Sequence, residues 1–358
     1  MDNNEVFSIG IMSGTSLDGI DFVYVQFDKK NYTDFTILAS KTVAYSKDWK
    51  QKLQNAILFS DEELGVLDIN YGVLLGKETN QFIDEFKIDT IDFIASHGHT
   101  ILHQPDKGIT LQVGDGQVIA DKTSHKVVCD FRTQDVKLGG QGAPLVPIGD
   151  ELLFFEYDYC LNLGGFANVS FKKNNKRIAF DICPVNIVMN FYAEKLGVEY
   201  DDKGQITSTG NINIDLLEKL NLLTFYQQKP PKSLGLEWVK KEIFPIIDLY
   251  KIPIKDMLRT YVEHIAIQIT NQLKNKTKVL VTGGGAFNDF LISRIKFLNN
   301  VEFIIPSKKL INFKEALVFS FLGLLRTENK VNCLKSVTGA KRNHSSGDIF
   351  YPKNFKIK

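Results

Sequence analysis

Three glycine-rich turns and one aspartate carry the chemistry that can be read directly from the sequence. Ser13-Gly14-Thr15-Ser16-Leu17-Asp18-Gly19 combines glycines, the hydroxyls of Ser13, Thr15 and Ser16, and a carboxylate at Asp18. Glycine lets backbone N–H groups turn toward an anion, so such a turn can cradle phosphate. Asp18 is suited to hold Mg²⁺ through water, because hard cations take oxygen ligands. No Gly-Lys-Ser/Thr follows, so this is not a Walker loop. Leu163-Gly164-Gly165-Phe166-Ala167-Asn168 offers the same chemistry again. Thr282-Gly283-Gly284-Gly285-Ala286-Phe287-Asn288 lies between an expected strand and an expected helix, where a helix N-terminus favours phosphate. Its spacing is not the dinucleotide-binding GxGxxG. One such turn reads equally as a hairpin connection. Three at strand ends point to a nucleotide, with Ser13, Gly14, Thr15, Ser16, Asp18, Gly164, Gly165, Asn168, Gly283, Gly284, Gly285 and Asn288 as candidate nucleotide and phosphate contacts.

Asp181 stands at the expected end of a strand, just before Pro184 and a helical pattern. An acid there can serve as a general base or as a helix N-terminal partner, and the sequence leaves both open. His97, His99 and His103 suggest a metal-dependent hydrolase as the rival enzyme class. That reading needs further ligands, yet only His125, His264 and His344 remain, and His264 sits in a surface-like helical pattern.

The elements that must position these groups alternate between strand and helix, the pattern of an α/β protein. Val6 to Met12 and Ile20 to Phe27 read as a hairpin around the first turn. Asp61 to Phe86 is helical, with Leu64, Leu67, Tyr71, Leu74 and Leu75 at three-to-four spacing. Ile91 to Ala95 and Val127 to Asp130 are short buried strands. Tyr157 to Leu163 and Ala167 to Phe171 form a second strand–glycine–strand unit, followed by a strand from Arg177 to Phe180. Pro184 suits the first turn of a helix, Val185 to Leu196. Later come a helix from Lys255 to Leu273, a strand from Val279 to Val281, a helix from Ala286 to Phe297, and a nearly all-apolar helix from Glu315 to Leu325. The recurring hairpin predicts two related lobes facing a cleft.

Composition narrows the partners. The 358 residues are 44% hydrophobic and 24% charged, with a formal net charge of +1. That apolar fraction excludes a disordered chain, and the balance excludes a dedicated nucleic-acid or anionic-membrane binder. The acidic start Met1-Asp2-Asn3-Asn4-Glu5 is no signal peptide, and no apolar run is long enough to span a bilayer. Cys129, Cys160, Cys183 and Cys333 lack CxxC spacing, which suits reduced thiols in the cytoplasm.

Taken in order, the motifs are specific. Ile9-Gly10-Ile11-Met12 with the first turn and Ile20-Asp21 resembles the opening signature of the anhydro-N-acetylmuramic acid kinases. Ser96-His97-Gly98, Asp130-Phe131-Arg132, Gly139 to Pro147, Asn162 to Asn168, Gly283 to Asn288, Glu315-Ala316 with Phe319, and Ser336 to Ala340 resemble the later motifs of that family. The resemblance implies a two-lobed sugar kinase/Hsp70/actin-like fold, a duplicated ribonuclease H-like α/β architecture with a central cleft. We expect an N-terminal lobe of residues 1–130 with 340–358 and a C-terminal lobe of 131–339. It further implies ATP and Mg²⁺ as cofactors and a small anhydro-sugar as substrate. Catalysis would fall to Asp181, and substrate binding to His97, Arg132, Gly142 and Glu315. A cytoplasmic homodimer is implied too. The sequence departs from the family pattern at Ile182, Cys183, Val185, Asn190, Leu234, Leu236 and His99. Leu234 and Leu236 replace a Thr and an Arg, which keeps two alternatives open: a related kinase for another sugar, and a non-catalytic nucleotide-binding homologue.

Overall fold

The computed structural model describes residues 4–14 and 16–353, so Thr15 lies outside the described residues. The chain divides into two compact units, one of Met1–Leu153 with Phe313–Lys358 and one of Phe154–Asn312. The boundaries thus fall at 153/154 and 312/313, not at 130/131 and 339/340 as expected. The reason is the helix Lys308–Thr327, most of which is built into the first unit. Gly10 has no Cβ, and one placed there would lie 2.2 Å from the Ala316 carbonyl oxygen. At Gly323 an added Cβ would lie 2.7 Å from both the Ala95 Cβ and the Phe93 ring. Two glycines therefore set the distance between helix and sheet, and Ala316 to Leu325 are buried as their apolar run requires.

The strands of the first unit begin with β1 (Glu5–Ser13), β2 (Ile20–Asp28), β3 (Phe35–Val43) and β4 (Phe93–Ser96). A separate hairpin, β5 (His99–Gln104) with β6 (Ile109–Val113), precedes β7 (Val127–Cys129). The second unit holds β8 (Tyr159–Leu163), β9 (Phe166–Lys173), β10 (Lys176–Pro184), β11 (Lys278–Thr282) and β12 (Glu302–Ile304). The chain then returns to the first unit for β13 (Asp348–Phe350).

Both large sheets follow one plan. In the first, β1, β2 and β3 form an antiparallel meander, β4 joins β1 in parallel and β7 joins β4 in parallel. In the second, β8, β9 and β10 form the meander, and β11 and β12 follow in parallel. The first sheet adds β13 at its edge, antiparallel to β7. The recurring glycine hairpin thus reflects duplication of a ribonuclease H-like unit, the architecture of the sugar kinase/Hsp70/actin-like fold. The first sheet is covered on both faces, by the cluster around Ile9, Ile11 and Phe22 on one and by the helix Lys308–Thr327 against Gly10, Phe27 and Phe93 on the other. The second sheet buries its apolar face around Leu161, Leu163 and Val281.

The long helix runs Asp61–Phe86, as its spacing predicts, and Ser60 and Glu63 close a capping box at its start. Three expectations need correction. β10 does not end before Asp181 but continues to Pro184, with a bulge between Asp181 and Cys183. Pro184 therefore ends a strand, and the helix begins at Asn186. His264 is fully buried in the helix Ile254–Thr270, where Asn221 and Tyr226 meet its two ring nitrogens. Among the described residues no helix is long and apolar enough to cross a membrane.

Candidate active site

In the second unit, strand pairing assembles a polar row. Thr282 faces Asn162, Asn162 faces Asn168, and Asn168 faces Asp181. Directly opposed residues project from the same side of a sheet, so all four share one face. The other face is the apolar core of Leu161, Val169, Phe180 and Val281. The Thr282 hydroxyl is buried with no hydrogen-bond partner among the described residues.

Asp181 is half-buried on this row. Its Oδ2 accepts the Leu234 N–H at 2.8 Å, and its own N–H donates to the Lys232 carbonyl at 3.1 Å. It caps no helix. Burial raises its pKa above the ordinary 3.8, with the Leu234 N–H pulling the other way. The segment Lys232 to Glu237 is therefore brought onto Asp181. Ile182 and Cys183 are buried behind it, whereas Asn190 and Leu234 are half-buried and Leu236 is exposed.

Two glycine turns converge at the ends of β8 and β11. A Cβ on Gly283 would lie 2.7 Å from the Leu163 carbonyl and from Asn162 Oδ1, and one on Gly285 would lie 2.8 Å from the Leu163 Cβ. Gly283 also has φ of +82°, which favours glycine. Asn186 joins the group, its amide donating to the Leu163 carbonyl at 3.2 Å. The carbonyls of Gly164 and Gly165 accept the N–H groups of Asn186 at 3.3 Å and Val185 at 2.8 Å. Gly165 and Gly284 remain exposed. Asn288, expected at the phosphate, is buried at the start of a helix. Its side chain accepts the Leu291 N–H at 2.9 Å and caps the helix Asp289–Leu298. Asn162, Asn186 and Thr282 are additions that the sequence reading missed. Asn162 and Thr282 flanked the glycine motifs, but only strand register shows that they line up.

In the first unit, three candidate sugar contacts meet. Arg132 donates from Nε and Nη2 to His97 Nε2, at 3.0 and 2.9 Å, and from Nη1 to the Gly142 carbonyl at 2.6 Å. His97 Nδ1 in turn lies 2.9 Å from the Gly98 carbonyl, so Nδ1 carries the proton and Nε2 accepts. Burial and the Arg132 charge hold His97 well below its usual pKa, in the neutral form. Burial brings Arg132 down to about 10, opposed by the Glu315 charge, so it stays cationic at neutral pH. Glu315 keeps solvent access, but crowding by protein raises its carboxyl. Arg132 and Lys314 oppose that rise and Asp21 adds to it.

The first turn behaves differently from its composition. Ser13 is buried, and its hydroxyl donates to the Gly98 carbonyl at 3.0 Å and accepts from Tyr71 at 2.9 Å. It anchors the turn and is not a free phosphate donor. Gly14 is half-buried, while Ser16 and Asp18 are exposed. Asp21 lies near Asp18. Its carboxyl is raised by burial and by the Asp18 charge, against a hydrogen bond from Thr42 at 2.6 Å. Two carboxylates there form a hard oxygen donor set, and a divalent cation would relieve their repulsion. The sequence reading had Asp18 but not Asp21.

Among the described residues, His97, His99 and His103 do not join three or more close metal-ligating groups. His97 is bound to Arg132, His103 Nδ1 lies 3.2 Å from Thr110 Oγ1, and burial lowers His99 to about 4. Among the described residues, the ligand atoms of Asp135, Cys333 and His344 form a group of three lying within 4.8 Å of one another.

Two ribonuclease H-like units, glycine turns at strand ends and carboxylates beside them define a phosphotransferase of the sugar-kinase type. The family model described as anhydro-N-acetylmuramic acid kinase matches residues 6–352. A protein of that name from Mannheimia succiniciproducens is 35% identical, covering 96% of this chain and 98% of its own. Another from Sulfurovum is 34% identical, also over 96% of this chain and 98% of its own. Among solved structures, the activator of 2-hydroxyisocaproyl-CoA dehydratase from Clostridium difficile, with bound ADPNP, aligns over 90% of this chain and 97% of its own, at 12% identity and a TM-score of 0.43. The chain belongs to the anhydro-N-acetylmuramic acid kinase family. It is a kinase and takes its phosphoryl group from ATP.

Proposed function

We propose that this kinase opens 1,6-anhydro-N-acetylmuramic acid with water and phosphorylates O6, giving N-acetylmuramic acid 6-phosphate and ADP. Water forms a bond to C1 as the C1–O6 bond breaks. The electron pair left on O6 attacks the γ-phosphorus, and the bond to the β,γ-bridging oxygen breaks. The departing alkoxide is itself the phosphoryl acceptor, so no separate acid need protonate it. What remains is a base for the water, and Asp181 takes that proton. The observation that carries this reading is the placement of Asp181: half-buried, raised in pKa, and held by the Leu234 N–H on a polar row beside two glycine turns.

Gly164, Gly165, Gly283, Gly284 and Gly285 meet phosphate through backbone N–H groups, with Asn168 beside them, and Gly14, Thr15 and Ser16 serve the same end in the first unit. Asp18, with Asp21 adjoining, would hold Mg²⁺. The metal supplies positive charge to the transferring group. His97, Arg132, Gly142 and Glu315 bind the sugar. The reaction would serve peptidoglycan recycling in the cytoplasm, with the protein a homodimer.

Incubation with ATP, Mg²⁺ and 1,6-anhydro-N-acetylmuramic acid tests the reading. ADP and a sugar 6-phosphate are expected, and neither product would overturn it. Leu234 and Leu236 favour one second reading, a related sugar with an apolar group where relatives meet a polar one. A screen of anhydro- and amino-sugars that finds faster ADP release with another substrate would support it. Tight ATP binding with no sugar-stimulated ADP release would instead favour the non-catalytic homologue.

A further inference from the structure

We propose that Asp135 is a positioning residue for the sugar-binding pair Arg132 and His97, an inference that rests on the function proposed above. Asp135 lies in the short helix Thr133–Lys137 and is 0% exposed. Its Oδ2 accepts the Gly142 N–H at 2.8 Å. Its Oδ1 accepts the Thr338 hydroxyl at 2.8 Å and the Cys333 thiol at 3.0 Å, with His344 Nε2 3.5 Å away. Donors thus converge on both oxygens. A carboxylate accepts at both, whereas the amide of Asn would turn its own N–H groups toward one set of donors.

The donors come from a late segment of the chain that is itself braced. Cys333 and His344 form an isolated antiparallel bridge, with N–H to carbonyl distances of 3.1 and 3.2 Å. The Thr338 carbonyl accepts the Gln141 N–H at 2.8 Å, and the Leu138 carbonyl accepts the Lys341 N–H at 3.1 Å. The loop 138–142 is therefore gripped along its length. At Gly140 the fit leaves no room for a side chain, since a Cβ would lie 2.1 Å from Asp135 Oδ2.

The grip ends on Arg132. The Gly142 N–H is held by Asp135, and the Gly142 carbonyl holds Arg132 Nη1 at 2.6 Å. The other two guanidinium contacts go to His97. Arginine has a rotamer-rich stem, and its planar fork is selective only when its orientation is fixed. Asp135 fixes it through the Gly142 peptide and touches no reacting group itself.

Steady-state kinetics on the full-length protein test this. Asp135→Asn should raise the KM for the anhydro-sugar about tenfold and leave the KM for ATP within about twofold, because the phosphate-binding turns are not involved. In a double-mutant cycle with Arg132→Lys, the two effects should be non-additive, the double variant binding sugar no worse than Arg132→Lys alone. Should Asp135→Asn not fold, Thr338→Val, which removes one donor, should give a smaller rise in sugar KM at unchanged ATP KM. Additive effects in the cycle, or an unchanged sugar KM in the folded variant, overturn the positioning role. No sugar-stimulated ADP release by the parent protein overturns the functional reading, and this inference with it.

Discussion

Asp181 shows how placement can suit a single carboxyl to the role proposed for it. Its pKa is raised by burial while one N–H still holds it, so it is a stronger base than an exposed aspartate. Asp181→Asn should lower kcat by about 10²- to 10⁴-fold, the usual worth of a general base, while ATP still binds by calorimetry. In the parent protein, kcat/KM should fall as pH drops through the Asp181 pKa. The midpoint should lie above 3.8, as read from a pH–rate profile. The stability change has the opposite sign. Raising a folded-state carboxyl pKa stabilises the fold only at pH values low enough to protonate it, and that contribution is lost as pH rises through the folded pKa. At neutral pH the Asn variant should therefore melt no lower than the parent. A markedly lower Tm would mean that Asp181 is chiefly structural.

At the scale of elements, two residues of one motif separate cleanly. Gly283→Ala places a methyl against the Leu163 carbonyl and keeps a positive φ, so ATP affinity should fall about tenfold or more. Asn288→Ala removes a helix cap and should cost about 1 kcal/mol of stability in denaturant unfolding, with ATP affinity unchanged. Loss of ATP affinity in Asn288→Ala would return that residue to the phosphate site. The contrast shows where legibility stopped. Helix 61–86 was readable because its spacing and its cap lie within its own sequence. The three glycine turns were readable as turns because each sits between a β-prone apolar run and a second strand or helix pattern, though composition alone did not separate a phosphate turn from a hairpin connection. The bulge after Asp181 was not, since it exists only in the pairing of β10 with β9. Pro184, likewise, suits a strand end as well as a helix start. His264 looked exposed because the partners that meet its ring, Asn221 and Tyr226, lie about 40 residues earlier and are brought to it only by the fold. Asp21 was hidden in a strand whose alternation accounted for it.

For the whole molecule, near-zero charge becomes a statement about how phosphate is met. In the function proposed above, backbone N–H groups of the glycine turns and a carboxylate-held cation would do what lysines do elsewhere, a reading compatible with the net charge of +1. On that reading, raising salt from about 50 to 500 mM should change the KM for ATP by less than about threefold, because backbone N–H groups and a bound cation leave few side-chain ion pairs to screen. Chelating Mg²⁺ should abolish turnover, and restoring it should recover activity. A steep salt dependence would point to basic side chains at the phosphates.

The order in which the chain emerges from the ribosome is itself constrained by the architecture. The second unit is an unbroken stretch, Phe154–Asn312, set inside the first. The first unit is begun before it and finished after it. β1 waits for the helix that Gly10 admits, and β7 waits for β13, which is among the last residues described. Folding units usually complete in the order of synthesis. Here the later-made unit can close while the earlier one still lacks a strand and a helix, so the segment Met1–Leu153 stays unfinished until the helix Lys308–Thr327 and β13 have been made.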